Sequence, residues 1–387
     1  MNKGNDIYDN DSPLLEDAGS DVEQEDLMGP TEECSITEPF DPNAIDVDIS
    51  TVNLGYLIEQ LENDEIELQP DYQRASDVWD ETKKSRLIES ILLGLPLPSF
   101  YFSEDVVSQK LSIVDGLQRI CAIRDFVLKK DNPLKLQNLQ FLLPFNGKTF
   151  SDLARSEIKR IKSLKITMNT LRKDTPGDVK YVIFQRVNTA GVPLTPQEMR
   201  HALNQGPAAV FIKDLAEMPS FKEATNRSVK TKRMQDRDFA NRFVAFYLLG
   251  YESYSGELDI FLNEGMARLN RITDEQREEV REAFDKSMKC CYRIFKEDTF
   301  RKRYTVDERR KPLSRSVYDT LSVNIARLSD EQRTILIKAR STFRKKMMEL
   351  FNNSKFNYAI SIGTGQKYNV EIRFRMVKEL IEEILNL

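Results

Sequence analysis

Five consecutive residues, Asp115-Gly116-Leu117-Gln118-Arg119, place a carboxylate, a glycine, a side-chain amide and a guanidinium where the hydropathy pattern changes period. Before them, Leu111, Ile113 and Val114 read as a short buried strand. After them, Ile120, Ile123, Phe126 and Val127 recur at helical spacing. The pentad is therefore expected on a strand–turn–helix junction, with Gly116 taking the sharp turn and Gln118 and Arg119 in the first helical turn. Such a helix start directs backbone N–H groups and a positive dipole end outward, which suits an anion. A guanidinium beside it can grip phosphate through two parallel hydrogen bonds. The same residues admit a plainer arrangement, in which Arg119 pairs with a carboxylate and Gly116 merely turns the chain.

Other chemistry is narrowed by what the chain holds elsewhere. His201 is its only histidine, so nuclease sites built on several histidines are excluded, and no Ser-His-Asp or Cys-His arrangement has a supporting neighbour. Gly147-Lys148-Thr149 ends like a P-loop, but Leu142 stands where its first glycine belongs. Gly363 and Gly365 fail as a dinucleotide fingerprint because Tyr368 occupies the third glycine position. The four cysteines, Cys34, Cys121, Cys290 and Cys291, have neither zinc-ligand spacing nor the pattern of a disulfide framework, and no metal site is expected from them. Phosphoryl transfer by positioning and charge stabilisation needs few covalent players and remains open.

Three further stretches flank the pentad: LQPDYQR (Leu68 to Arg74) followed by Trp79; SRLIESILLGLPLPSFYF (Ser85 to Phe102); and FQRVNTAGVPLTPQE (Phe184 to Glu198). In this order, with the DGLQR turn, they resemble the N-terminal domain of GmrSD-type modification-dependent restriction endonucleases, a family placed with ParB/sulfiredoxin-like folds and marked by a DGQQR motif. Leu117 replaces the family's first glutamine. The resemblance covers roughly Leu54 to Leu203 and extends more loosely over RDFANRFVAF (Arg237 to Phe246) and Phe300-Arg301. It implies an NTP-binding and NTP-hydrolysing domain, working with Mg2+. Arg119 would clamp phosphate, and Gly116 would let the backbone approach it. Gln118 would hydrogen-bond a phosphate or orient a water. Asp115 would serve a Mg2+ ion or water, or only cap the turn. Arg74 would add a second cation, and Asn188 a polar contact from the opposite wall. DNA cutting in that family is assigned to a separate HNH region, so the partners implied are NTP, foreign or modified DNA, and a separate nuclease subunit, with an oligomer also open. Two rivals stand beside this reading: a non-hydrolysing switch module that holds nucleotide or DNA, and a ParB-like nuclease.

The elements that must position these residues follow from periodicity. Leu54, Leu57, Ile58 and Leu61 predict a helix capped by Ser50 or Thr51. Ile66 and Leu68 suggest a short strand, and Tyr72 to Arg74 a loop. Leu87, Ile88, Ile91 and Leu92 predict a helix that Gly94 and Pro96 end. Phe100–Phe102 should form a further strand, Phe141–Phe145 should lead into a hairpin turn at Asn146-Gly147, and Leu164–Met168 should be a strand. Thr195-Pro196-Gln197-Glu198 is a capping box. Beyond Gly206 the periodicity is helical, over 236–251, 273–296, 314–328, 329–351 and 370–387. The fold class expected is α+β, with a ParB/sulfiredoxin-like domain over 47–205 and an all-helical domain over 206–387. Residues 1–46 hold fourteen Asp and Glu against Lys3, a net −13, so the rest of a chain of net −5 carries +8. That head is expected to remain disordered, as a solubilising tail or as a competitor of nucleic acid for the basic body. The basic stretches 227–242 and 301–311 are read as solvated helix faces or as phosphate-backbone contacts. No apolar run is long enough to span a membrane, and the acidic N-terminus is unlike a secretory signal, so a cytoplasmic location is expected.

Overall fold

The computed structural model describes residues 21–28, 46–67, 79–104, 110–172, 175, 179–181, 183, 186, 195–204 and 206–386. Its N-terminal unit is built on one five-stranded mixed sheet of order β1-β5-β3-β4-β2, from β1 (Val47–Asn53), β2 (Ile66–Glu67), β3 (Phe100–Glu104), β4 (Leu111–Asp115) and β5 (Lys165–Leu171). β1 with β5 and β3 with β4 are antiparallel, whereas β3 with β5 and β2 with β4 are parallel. Helices α1 (Leu54–Glu62), α2 (Glu81–Leu93), α3 (Leu117–Val127) and α4 (Arg155–Ser163) share its core, where Leu54, Leu57, Ile88, Ile91, Phe102, Ile123 and Phe126 are almost fully buried. The α+β class is as expected.

Local signals place several boundaries. Asp80 caps α2 by accepting the Lys83 N–H at 2.7 Å, and Gly94, with φ 77°, closes it. Trp79 packs against the core just before that cap. Two expectations are corrected. Ser50 and Thr51 do not cap α1; they lie inside β1, facing Met168 and Thr167 of β5, and Asn53 precedes the helix. The 141–145 run is not a hairpin strand. Leu143–Phe145 is a turn of 3-10 helix, and the Glu89 carboxylate of α2 accepts the backbone N–H groups of Gln140, Phe141 and Leu142 at 3.0, 2.7 and 2.7 Å. A buried carboxylate has taken the donors that a neighbouring strand would have used.

Burial alone would push the Glu89 carboxyl up, but these three donors and Arg86 hold it below the usual carboxylate range. A pKa lowered on folding stabilises the fold above the unfolded carboxyl's pKa, and that contribution is lost as pH falls through the lowered value. Glu89→Gln should therefore cost about 1–3 kcal/mol near neutral pH and flatten the acid side of the stability–pH curve. Urea unfolding across the acid range reads both, and an acid limb as steep as the parent's would contradict the assignment.

The second unit is helical. Ahead of it, a short α5 (Pro196–Leu203) ends the N-terminal unit and opens on the expected capping box, with Glu198 N–H donating to Thr195 Oγ1 and Thr195 N–H to Glu198. Beyond it come α6 (Pro207–Glu217), α7 (Pro219–Ala224), α8 (Gln235–Leu249), α9 (Leu258–Arg271), α10 (Asp274–Phe295), α11 (Arg315–Ala326), α12 (Asp330–Lys338), α13 (Arg340–Phe351), α14 (Ser354–Ala359) and α15 (Lys367–Leu385). The single helix expected over 329–351 is two, parted at Ala339. Tyr318 takes Phe239 and Phe300 edge-on at 4.9 Å each in the middle of this core.

The basic stretches, expected at the surface, are only partly there. Arg242 and Arg301 are each 2% exposed, and Lys302 is 6% exposed. Arg242 donates to Asp319 through Nε at 2.9 Å and Nη2 at 2.7 Å. Arg200 of α5 reaches both Asp238 and Asp259, and Arg315 reaches Asp238. These cations point inward to carboxylates, while Arg227, Lys230 and Lys232 are exposed. Residues 21–28, inside the head expected to stay disordered, are likewise placed, extended against the helical unit. The other head residues, apart from Asp46, lie outside the described set.

Candidate functional site

The pentad adopts the expected strand–turn–helix. β4 ends at Asp115, Gly116 turns the chain at φ 101°, and α3 begins at Leu117 with no side-chain cap. Only glycine fits this turn, because a Cβ there would lie 2.6 Å from Cδ1 of Phe100 and the backbone is left-handed.

Arg119 faces inward. Its guanidinium donates to the carbonyls of Pro98 and Ser99, the latter at 3.1 Å, and to Asp115 Oδ2 at 2.8 Å. Its plane also stands 4.6 Å over the Phe100 ring. The arginine thus ties the entry to β3 to the start of α3. Burial pushes the Asp115 carboxyl up, against the opposing pull of Arg119 and of the Gly116 N–H. The structure therefore brings together Asp115, Gly116, Gln118 and Arg119. Arg74 and Asn188, with Tyr72, Gln73 and Gly191, lie outside the described residues.

The wall beside the turn is apolar: Val114 and Leu171 pack with Met199 of α5, so the pentad is joined to the helical unit through that helix. His201 is buried on α5, 4% exposed. Among the described residues no group of three His, Cys, Asp or Glu is placed to hold a metal ion. Cys290 and Cys291 are buried, and burial pushes the Cys290 thiol up to about 12, far from a reactive thiolate. No helix among the described residues is long and apolar enough to cross a membrane.

One cluster was missed from sequence. At the other end of α3, Lys84 donates to Asp125 at 2.8 Å and Arg124 reaches the same carboxylate at 2.7 Å. They line an open cleft of about 930 Å³ with Trp79, Lys129 and Lys130. The signal was present, since Lys84 falls on the stripe of Leu87, Ile88 and Ile91, where a lysine must find a partner.

One known family matches part of the chain. Residues 57–204 match the family model "GmrSD restriction endonuclease, N-terminal domain". The resemblance drawn from the four motifs therefore holds over that segment. No curated protein and no solved structure matches the chain. The GmrSD-type domain takes in β2 to β5 and ends at α5, so its last helix is the one that carries Arg200 into the helical unit.

Proposed function

We propose that this chain binds a nucleoside triphosphate at the DGLQR turn of its GmrSD-type domain, hydrolyses it, and couples that binding to recognition of foreign or modified DNA in prokaryotic defence. The observation that carries the reading is the coincidence of the family match over 57–204 with a pentad on a glycine turn at a helix start. Phosphate would approach the backbone at Gly116 and the start of α3. Gln118 would orient the water, and Arg74 and Asn188 would complete the pocket. Mg2+ would arrive with the triphosphate and be held chiefly by phosphate oxygens, because Asp115 is already paired with Arg119. A ParB/sulfiredoxin-like domain, a cytoplasmic location and a separate nuclease subunit belong to the same reading. Exposed Lys222, Arg227 and Arg310, which line one open cleft, are the basic side chains it offers to DNA.

The non-hydrolysing switch has one observation in its favour: the Asp115–Arg119 ion pair keeps that carboxylate occupied rather than set to activate water. Phosphate release from NTPs, with and without duplex DNA, tests the choice. Release stimulated by DNA is the expected result. Tight NTP binding without release selects the switch, and neither binding nor release removes the proposal. DNA cleavage with a divalent metal and no NTP selects the ParB-like nuclease.

A further inference from the structure

Residues 21–28, Asp-Val-Glu-Gln-Glu-Asp-Leu-Met, lie on the helical unit as a peptide ligand would. Their backbone is held at both ends. Glu23 N–H donates to Leu313 O at 2.7 Å and Leu313 N–H to Asp21 O at 2.9 Å. Further along, Thr364 N–H donates to Asp26 O at 2.7 Å, and Gly365 N–H to Leu27 O at 3.0 Å. Gln366 Nε2 reaches Met28 O at 2.8 Å.

In an extended chain alternate side chains share a face, and here the alternate residues Asp21, Glu23 and Glu25 are acidic. Each meets its own cation. Arg301 and Arg310 hold Asp21 at 2.8 and 3.2 Å, Lys302 holds Glu23 at 2.6 Å, and Arg242 grips Glu25 through both Nη atoms at 3.1 and 2.9 Å. Gly365 completes the groove. Its own φ does not require glycine, yet a Cβ there would stand 2.9 Å from Leu27 O. Val22 packs on the helical core, while Leu27 and Met28 stay exposed at 38% and 42%. Strand pairing plus charge, with little apolar burial, is the manner of an exchangeable ligand rather than of a core element. Arg301 and Lys302 lie almost wholly buried beneath it, so an empty groove would leave their charges without those carboxylates.

We propose that the helical unit carries a recognition groove for an extended acidic peptide with Asp or Glu at alternate positions, filled here by the chain's own residues 21–28 and open to the same kind of segment supplied in trans. The backbone ladder favours a peptide over a nucleic-acid strand, whose sugar-phosphate backbone has no regularly spaced N–H and C=O groups to offer Leu313 and Gly365. The proposal does not depend on nucleotide chemistry at the DGLQR turn.

The test uses the full chain carrying Glu23→Gln and Glu25→Gln, which loosens its own occupant, and a fluorescent peptide of residues 21–28. In the parent the tethered segment competes at an effective concentration on the order of mM. The double variant should therefore bind the peptide roughly tenfold or more tightly than the parent, and less tightly as salt rises. Adding Gly365→Ala should abolish that gain. A peptide of the same composition with its acidic residues consecutive should bind more weakly. A folded double variant that binds the peptide no better than the parent, or equal binding of both peptides, overturns the proposal. So does a variant that takes a single-stranded oligonucleotide and refuses the peptide. If the double variant does not fold, Gly365→Ala alone, which removes no charge, decides. Faster hydrogen exchange confined to residues 21–28 and their partner amides supports the groove, and unchanged exchange there overturns it.

Discussion

Asp319→Ala is expected to destabilise the helical unit by about 3–5 kcal/mol, the usual penalty for stripping the partner from a buried charge. Asp319 is fully buried on α11. It accepts two hydrogen bonds from Arg242 and lies 3.5 Å from Nη2 of Arg373, whose side chain is 1% exposed. Burial opposes the charge on Arg242, yet Asp319 and Glu25 hold that guanidinium protonated with its pKa well above the ordinary value. Without Asp319 both arginines keep their charge and lose a carboxylate. For a unit of this size the melting temperature should fall on the order of 10 °C. Asp319→Asn, which keeps the shape and one acceptor, should lose less. The contrast is Lys346–Glu383, where the Glu383 side chain is 57% exposed; Glu383→Ala should leave stability close to the parent's, because solvent screens an exposed pair. Urea unfolding of the three variants on one scale checks the ranking, and equal losses at Asp319 and Glu383 would mean that burial is not the cause.

Arg119→Ala should destabilise the GmrSD-type domain by about 2–4 kcal/mol. It removes the donors to Pro98, Ser99 and Asp115 and the guanidinium over Phe100. A pH dependence goes with it. Burial already raises the Asp115 carboxyl, and the Arg119 charge is the main force pulling it back, so the variant should raise it further. A carboxyl raised on folding opposes folding wherever it must ionise. The loss should therefore be smallest in acid, below the unfolded pKa, and grow as pH climbs through the raised value. Arg119→Lys should recover only part, because an ammonium cannot reach two carbonyls and a carboxylate at once. If the turn also holds triphosphate, NTP affinity in the folded variant falls roughly 10- to 150-fold. Unchanged affinity would leave Arg119 as a staple and place the phosphate on other donors.

What sequence could convey was local. Leu111 to Val127 declared its strand, turn and helix because the period changes from two to 3.6 across a glycine, and the structure repeats that division. Thr195 announced the start of α5 because a capping box needs only residues three apart. β1 was not legible: Ile49 is 71% exposed on it, and its partner β5 is more than a hundred residues away. The run around Phe141 misled for the opposite reason. It is apolar, yet Phe141 is 72% exposed and the segment is fixed by Glu89, distant in sequence. Arginines posed the same difficulty. Nothing local to Arg242 distinguishes a solvated cation from one buried against Asp319, 77 residues on. At the pentad the types and spacing were readable, but the inward turn of Arg119 depends on the Pro98 and Ser99 carbonyls, which carry no sequence signature.

The docking of Glu25 against Thr364 spans 339 residues, and a ribosome adds roughly 5–20 residues per second. During synthesis residues 21–28 must therefore wait roughly 20–70 s for the loop that receives them. The GmrSD-type domain, complete by residue 204, can meanwhile fold behind it. The helical unit is thus closed by a segment made long before the loop that receives it. A ribosome that stalls before Gly365 would release a protein whose N-terminal domain is finished but whose acidic strand has only part of its dock.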